Sequence, residues 1–228
     1  MVSQSRHAAQ WVEDNLPPEL RVLLRRAERV ILVANNPAIS AGDFDALALG
    51  PRDVVVSFNT AVKAELLSAE TVNVFVHGYH GQEFHFFGLP CRPCITRLFE
   101  QSPDRCFTLL VGVVNPMSAL PRVAIYEDRI PLPTLLDYPR MRPSGKPFAG
   151  PSTGFNAMVV FDWLLGRPGY TYELLALGFS NEAGTLWNGH AWDYERAWMH
   201  ASRVRVIALE SAGKRWWWPL RFKGKKAK

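Results

Sequence analysis

The sequence has few cysteines and no long apolar run, and both shortages restrict the class of protein. Only three of the 228 residues are cysteine, too few for a disulfide scaffold, so a reducing cytoplasm is the expected compartment. No stretch of about 18 uncharged apolar residues occurs, so no transmembrane helix is expected. The first residues lack the apolar segment of a signal peptide. We therefore expect a cytoplasmic protein.

Acidic residues are absent from the last segment, 214–228, which holds seven Lys or Arg and a run of Trp. Without this tail, 19 basic residues face 21 acidic ones, so the net charge of +5 belongs to the tail. Nucleic-acid-binding domains carry their basic residues on a folded face, so no nucleic-acid partner is expected. Trp among basic residues favours contact with the inner membrane surface, with a solvated or packed tail as the alternatives.

Apolar, β-branched runs alternate with helical segments along the chain. Strands are predicted at 29–35, 53–59, 71–79, 107–115, 122–128, 173–180 and 203–210. Helices are predicted within 1–28, from Ser152 to about Leu165, and from His190 to about His200, with a proline-rich loop over 129–151. This alternation predicts an α/β, Rossmann-like fold: a mostly parallel sheet flanked by helices, in a single domain over 1–213.

Polar residues and glycine follow three of the predicted strands. These are Asn35 and Asn36, then Asn59, then Gly178 with Phe179. Open α/β sheets bind ligands outside the carboxyl ends of their strands, which makes these residues candidates for a binding site. The alternative is that each is a simple turn residue.

Two hydroxyls and a glycine open the helix that begins near residue 152. Ser152 or Thr153 can cap backbone N–H groups, and Gly154 allows a ligand to approach the backbone closely. A helix N-terminus also attracts phosphate. An ordinary helix cap without a ligand is the alternative interpretation.

The order of these segments resembles the sialyltransferases, both the eukaryotic-type family with its sialyl motifs and the bacterial capsule and lipooligosaccharide family. VILVANNP and DVVVSFN are similar to the large motif, PSTG and LLALGF to the small motif, and the spacing of His190 and Glu195 to the very-small motif. The resemblance covers about residues 29–60 and 150–210 and implies the GT-A-like variant of the Rossmann-like fold found in sialyltransferases.

The resemblance implies an inverting glycosyltransferase that moves an acidic keto-sugar, sialic acid or a Kdo-like sugar, from a CMP-sugar donor to a glycan or lipid-linked glycan acceptor. Bacterial surface polysaccharide or lipooligosaccharide would be the product. No cofactor is implied. His190 would be the general base and Glu195 chiefly structural. Substrate would be bound by Asn35, Asn36, Asn59, Ser152, Thr153, Gly154, Asn156, Gly178 and Phe179.

The chain also departs from the family's pattern. Ser57 stands where the large motif has an arginine, and few residues separate Phe179 from His190, which leaves little room for the family's lid. A catalytically inactive nucleotide-binding protein of the same fold is therefore the alternative function. Tyr138, Arg142 and Lys146 are candidates for contacting the leaving phosphate in place of the lid. A hydrolase with Ser152 as nucleophile lacks the Gly-x-Ser-x-Gly elbow.

Three patterns imitate metal sites, yet no metal site is expected. Asp43-Phe44-Asp45 is predicted to be a turn or helix cap. Cys91 and Cys94 have only one further cysteine in the chain, so unpaired thiols are favoured over zinc. The remaining pattern is a histidine cluster favoured as an acceptor-site or cleft-rim loop: His77, His80 and His85.

Overall fold

A computed structural model of the chain describes residues 10–78, 92–111, 123–126, 130–179 and 188–209. Residues 10–14 are helical. The α-helices that follow are α1 (Pro18–Arg26), α2 (Ala41–Leu47), α3 (Pro93–Gln101), α4 (Pro133–Leu136), α5 (Thr153–Leu165) and α6 (Trp192–Ala201). The strands are β1 (Arg29–Val33), β2 (Asp53–Phe58), β3 (Val72–Gly78), β4 (Cys106–Val111), β5 (Val123–Tyr126), β6 (Glu173–Leu177) and β7 (Arg205–Ile207).

Seven strands of the described residues form one sheet in the order β5-β4-β3-β2-β1-β6-β7, and every pairing is parallel. The Rossmann-like α/β fold predicted from the sequence is thereby confirmed. Chain order runs outward from β1 to β5 on one side and continues at β6 on the other. The strand order therefore reverses between β1 and β6, which is where open α/β sheets form a ligand crevice.

Alternate side chains of the strands pack on opposite faces of the sheet, because strand side chains have a period of two. One face carries Val30, Val54 and Leu174 in the largest core cluster, together with α1 and α5. The other face is covered by α2 on one side and α3 on the other. Both faces are buried, which explains the nearly continuous apolar composition of the strands.

Helix α5 is buried on most sides and sets the geometry of the candidate site. Seven of its 13 residues are buried, and it contacts β1, β3 and α4. A helix surrounded by core in this way is held by packing rather than by one amphipathic face. Its N-terminus is consequently fixed in position against the carboxyl ends of the strands.

Several element boundaries differ from the sequence predictions. Helix α6 begins at Trp192, so His190 precedes the helix instead of opening it. The segment predicted as a proline-rich loop contains α4 and a small antiparallel bridge between Met141 and Pro147. Helix α3 was not predicted. Its nine residues bury only Ile95 and Leu98, too short a pattern to show a clear helical period.

Candidate functional site

The described residues place one candidate site at the carboxyl edge of the sheet, around the N-terminus of α5. Loops from β1, β2, β3 and β6 meet there. The tail 214–228, with its expected membrane contact, lies outside the described residues, as do Cys91, His80 and His85.

The asparagines after β1 connect neighbouring loops. The buried Asn36 donates from Nδ2 to the carbonyl of Gly178 at 2.9 Å and accepts from the Ala38 N–H at 2.9 Å. Asn35 donates to the carbonyl of Phe58 at 3.0 Å and accepts from the Val62 N–H at 3.0 Å. Asn36 thus bridges the loops after β1 and β6, where the strand order reverses, whereas Asn35 joins the loops after β1 and β2. A nucleotide would have to compete with these bonds for either side chain.

Asn59 joins three elements at the centre of the edge. It follows β2 with a φ of 49°, a left-handed conformation that Asn tolerates better than most residues. Its Oδ1 accepts from the Gly78 N–H at 3.1 Å, and its Nδ2 donates to Thr153 Oγ1 at 3.4 Å. The Thr153 hydroxyl packs so closely on Gly78 that a Cβ there would lie 2.2 Å from its Oγ1. Asn59 and Gly78 therefore fix the position of the first turn of α5 through their contacts with Thr153.

Gly154 packs closely against a neighbouring aromatic side chain. A Cβ at Gly154 would lie 3.0 Å from the ring of Phe179, which also packs edge-on against Phe58. Gly178 has a φ of 79°, and a Cβ there would lie 2.6 Å from Ile39. The sequence interpretation assigned the close approach at Gly154 to a ligand. The structure shows that the ring of Phe179 makes it.

A buried carboxylate links α5 to α6. Glu195 accepts from the Ser152 N–H at 2.9 Å, from the Ser152 hydroxyl at 2.6 Å and from the Tyr138 hydroxyl at 2.8 Å. Ser152 also caps α5 by accepting from the Phe155 N–H at 3.1 Å. The Ser152 hydroxyl proton thus points at Glu195, an arrangement that does not activate Ser152 as a nucleophile through histidine.

Tyr138 is buried beneath the edge of the site and is not placed to contact a phosphate in the crevice. Only 3% of its surface is exposed, and its hydroxyl accepts from the Ala191 N–H at 2.7 Å. Burial, together with the adjacent Glu195 carboxylate, raises the pKa of Tyr138 well above its usual value. Arg142 stacks over Phe148 in the segment that carries the small bridge near Lys146, and neither cation bonds to a residue of the α5 N-terminus.

His190 lies beside the segment that leads into α5. Its Nδ1 is 2.7 Å from the carbonyl oxygen of Gly150, which can only accept, so Nδ1 carries the proton. The Ala149 N–H donates to the carbonyl of Gly189 at 2.8 Å, and the ring packs edge-on against Trp192 at 5.2 Å. In this tautomer the lone pair lies on Nε2, the form that a general base needs.

The first two backbone N–H groups of α5, at Thr153 and Gly154, have no acceptor among the described residues. The next N–H, of Phe155, is occupied by the Ser152 hydroxyl, and that of Asn156 by the Ser152 carbonyl. The Asn156 side chain also donates to the Ser152 carbonyl, at 3.2 Å. An anion at this edge would therefore meet two unused donors and the positive end of the helix dipole.

The metal-like patterns have other roles where the structure describes them. Asp43 forms a capping box with Ser40 at the start of α2, as the turn-or-cap prediction stated. Cys106 is buried and its Sγ donates to the carbonyl of Leu98 at 3.5 Å, while Cys94 lies half-buried on α3. Within the described ranges, no three His, Cys, Asp or Glu side chains are grouped to hold a metal.

His77 is fully buried in β3 and does not reach the crevice surface. Burial lowers its pKa to about 3, so it stays neutral in the folded protein while the unfolded chain gains a proton below about pH 6.5.

As the pH decreases from 7.5 to 5, the free energy of unfolding should therefore decrease, and His77 should account for about 2 kcal/mol of this loss. Urea titrations across this range should show a shallower pH slope for His77→Leu than for the parent. An unchanged slope in His77→Leu would contradict the prediction.

Sequence reasoning did not single out Gly150 and Gly78 as parts of the site, and it placed Tyr138 at the phosphate rather than in the buried network with Glu195. The PSTG motif directed attention to side chains. In the structure those side chains dock α5, and the unused donors are backbone groups. For Gly78, the available signal of a close backbone approach was a glycine at the end of a predicted strand.

No protein-family model, curated protein or solved structure matches this chain. The fold alone defines the chain as a Rossmann-like α/β protein. In the part of the chain that the structure describes, no helix is long and apolar enough to span a bilayer.

Proposed function

We propose that the protein is an inverting glycosyltransferase that uses a CMP-activated acidic keto-sugar, sialic acid or a Kdo-like sugar, and transfers it to a glycan or lipid-linked glycan. The proposal rests on one observation: two N–H groups of α5 that have no acceptor among the described residues lie at the carboxyl edge of the sheet, beside the segment to which His190 is bonded. The motif resemblance supplies the donor class. A bacterial enzyme acting in the cytoplasm, at the inner face of the membrane, fits that donor and acceptor.

The reaction follows from the chemistry of the donor. His190 Nε2 removes the proton of an acceptor hydroxyl as its oxygen attacks the anomeric carbon, on the face opposite the phosphate. The bond between the anomeric carbon and the phosphate oxygen breaks, and its electron pair leaves with CMP. Thr153 and Gly154 N–H groups stabilise the charge that develops on the departing phosphate. The product has inverted configuration because one displacement occurs.

A pair of substitutions at one position tests the role of the N–H groups. Thr153 is the first residue of α5, where proline is tolerated, and Ser152 before it is extended with a ψ of 154°, which suits a following proline. Thr153→Pro and Thr153→Ala both remove the hydroxyl, but only proline removes the N–H. We expect CMP to bind about tenfold more weakly to the proline variant than to the alanine variant, as for one lost bond to a charged group.

The measurement is isothermal titration with CMP, with UDP and GDP as nucleotide controls. Equal CMP affinity in the two variants would remove the α5 N-terminus from the site. Absence of CMP binding to the parent, or equal affinity for all three nucleotides, would contradict the proposed donor.

A nucleotide-binding protein without transferase activity is the second candidate. The observation that favours it is the burial of Ser57 inside β2, where the family's motif has an arginine. CMP release from a CMP-sugar, measured with and without an acceptor glycan, separates the two functions. Release that rises with acceptor supports transfer, and binding without release supports the alternative.

A further inference from the structure

Tyr138 occupies a junction between three segments that meet at the candidate site. Its hydroxyl donates to Glu195 Oε1 at 2.8 Å and accepts from the Ala191 N–H at 2.7 Å. Both roles are compatible, because a tyrosine hydroxyl has one donor and can also accept. Its ring packs edge-on against Tyr194 at 5.3 Å and at a tilt against Phe155 at 5.9 Å.

The backbone around His190 is held from two directions. From the segment before α5, the Ala149 N–H bonds the Gly189 carbonyl and the Gly150 carbonyl accepts from the His190 ring. From the core side, the buried Tyr138 hydroxyl accepts from the N–H of Ala191, the residue after the base. Ala191 is also the N-cap of α6 and has no side-chain capping bond. Ala191 itself lies in the main core cluster, and the Tyr138 bond ties its N–H to the network around Glu195.

We propose that Tyr138 is a positioning residue that fixes the backbone at residue 191 and thereby the direction of the His190 ring. This inference rests on the proposed function for its catalytic meaning. It also assigns a role to the proline-rich segment that carries Tyr138. This segment would hold the backbone next to the base through the Ala191 N–H, and would not contact the phosphate. A displaced base loses rate steeply, since misplacement by about 1 Å can cost up to about 100-fold.

Tyr138→Phe is the direct test, because it keeps the ring and removes only the hydroxyl. We expect the Ala191 amide to exchange with deuterium at least about tenfold faster, since its acceptor is lost. The His190 Nδ1–H resonance, seen in histidine-labelled protein, should broaden or vanish. The kcat of transfer should fall about tenfold or more, with CMP affinity and donor KM within about twofold of the parent.

Tyr172→Phe is the matched control. Tyr172 is also buried and its hydroxyl donates to the carbonyl of Phe161 at 2.6 Å, in the same core but away from residue 191. Its loss should leave Ala191 exchange, the His190 resonance and kcat unchanged. Equal effects of Tyr138→Phe and Tyr172→Phe on these readouts would reduce Tyr138 to a structural role and overturn the proposal.

The outcomes separate this inference from the proposed function. If the parent shows no transfer, the proposed function fails, whereas Ala191 exchange and the His190 resonance still decide whether Tyr138 positions the turn. If Tyr138→Phe does not fold, hydrogen exchange of the Ala191 amide in the unmodified protein tests the proposal instead. A protected Ala191 amide supports the bond to Tyr138, and an Ala191 amide that exchanges as fast as an exposed one overturns the proposal.

Discussion

His190→Ala is expected to lower the kcat of sugar transfer by at least about 100-fold, the usual size of a general-base contribution. The affinity for CMP should stay within about twofold, because the base acts on the acceptor hydroxyl and not on the nucleotide. Steady-state kinetics at saturating acceptor, combined with CMP titration, measure the two quantities separately. The structural reason is that the Gly150 carbonyl holds the Nδ1 proton and leaves the lone pair on Nε2.

His200→Ala is the matched control for this prediction. His200 is exposed in the last turn of α6, on the same helix that follows the base. Its substitution should leave kcat at the parental value. A parental rate in His190→Ala would remove His190 from the mechanism. Because His77 is buried in the sheet, the search for a base would then move to His80 and His85.

Glu195→Ala is expected to destabilise the fold by about 3 kcal/mol or more, since one buried and two partly buried donors lose a charged acceptor. The donors are the N–H and hydroxyl of Ser152 and the hydroxyl of Tyr138. The carboxylate also lies at the positive N-terminal ends of both α5 and α6, which adds to the loss. Urea denaturation followed by circular dichroism measures the change in the free energy of unfolding.

Two further variants make the stability prediction specific. Asp193→Ala removes a carboxylate from the same helix. The Asp193 side chain is 97% exposed and pairs with Arg196, so the urea midpoint of unfolding should barely change. Glu195→Gln keeps the shape and one acceptor oxygen and should lie between the parent and Glu195→Ala. Equal stability of Glu195→Ala and Asp193→Ala would show that the buried network does not hold the two helices together.

The sheet was predictable because its strands are short apolar runs bounded by turn residues, as in RVILV and DVVVSF. Helix α5 was predictable from its cap and its length. The order of strands required pairings between distant segments, which local periodicity does not encode. Similarly, Ser152 was predicted at the site, but its bond to Glu195 joins residues 43 positions apart. Tyr138 was misplaced because nothing in its own segment indicates a partner on α6.

The pairing of β1 with β6 has a consequence for how the chain is made. Asn36 and Gly178 meet at the crevice although 142 positions separate them. During synthesis from the N-terminus, β1 to β5 can pair while one side of β1 stays open until β6 leaves the ribosome. A bare strand edge invites pairing with another chain. Nascent chains halted before β6 would therefore expose this edge in the centre of the future sheet, and the ligand crevice would be among the last features to form.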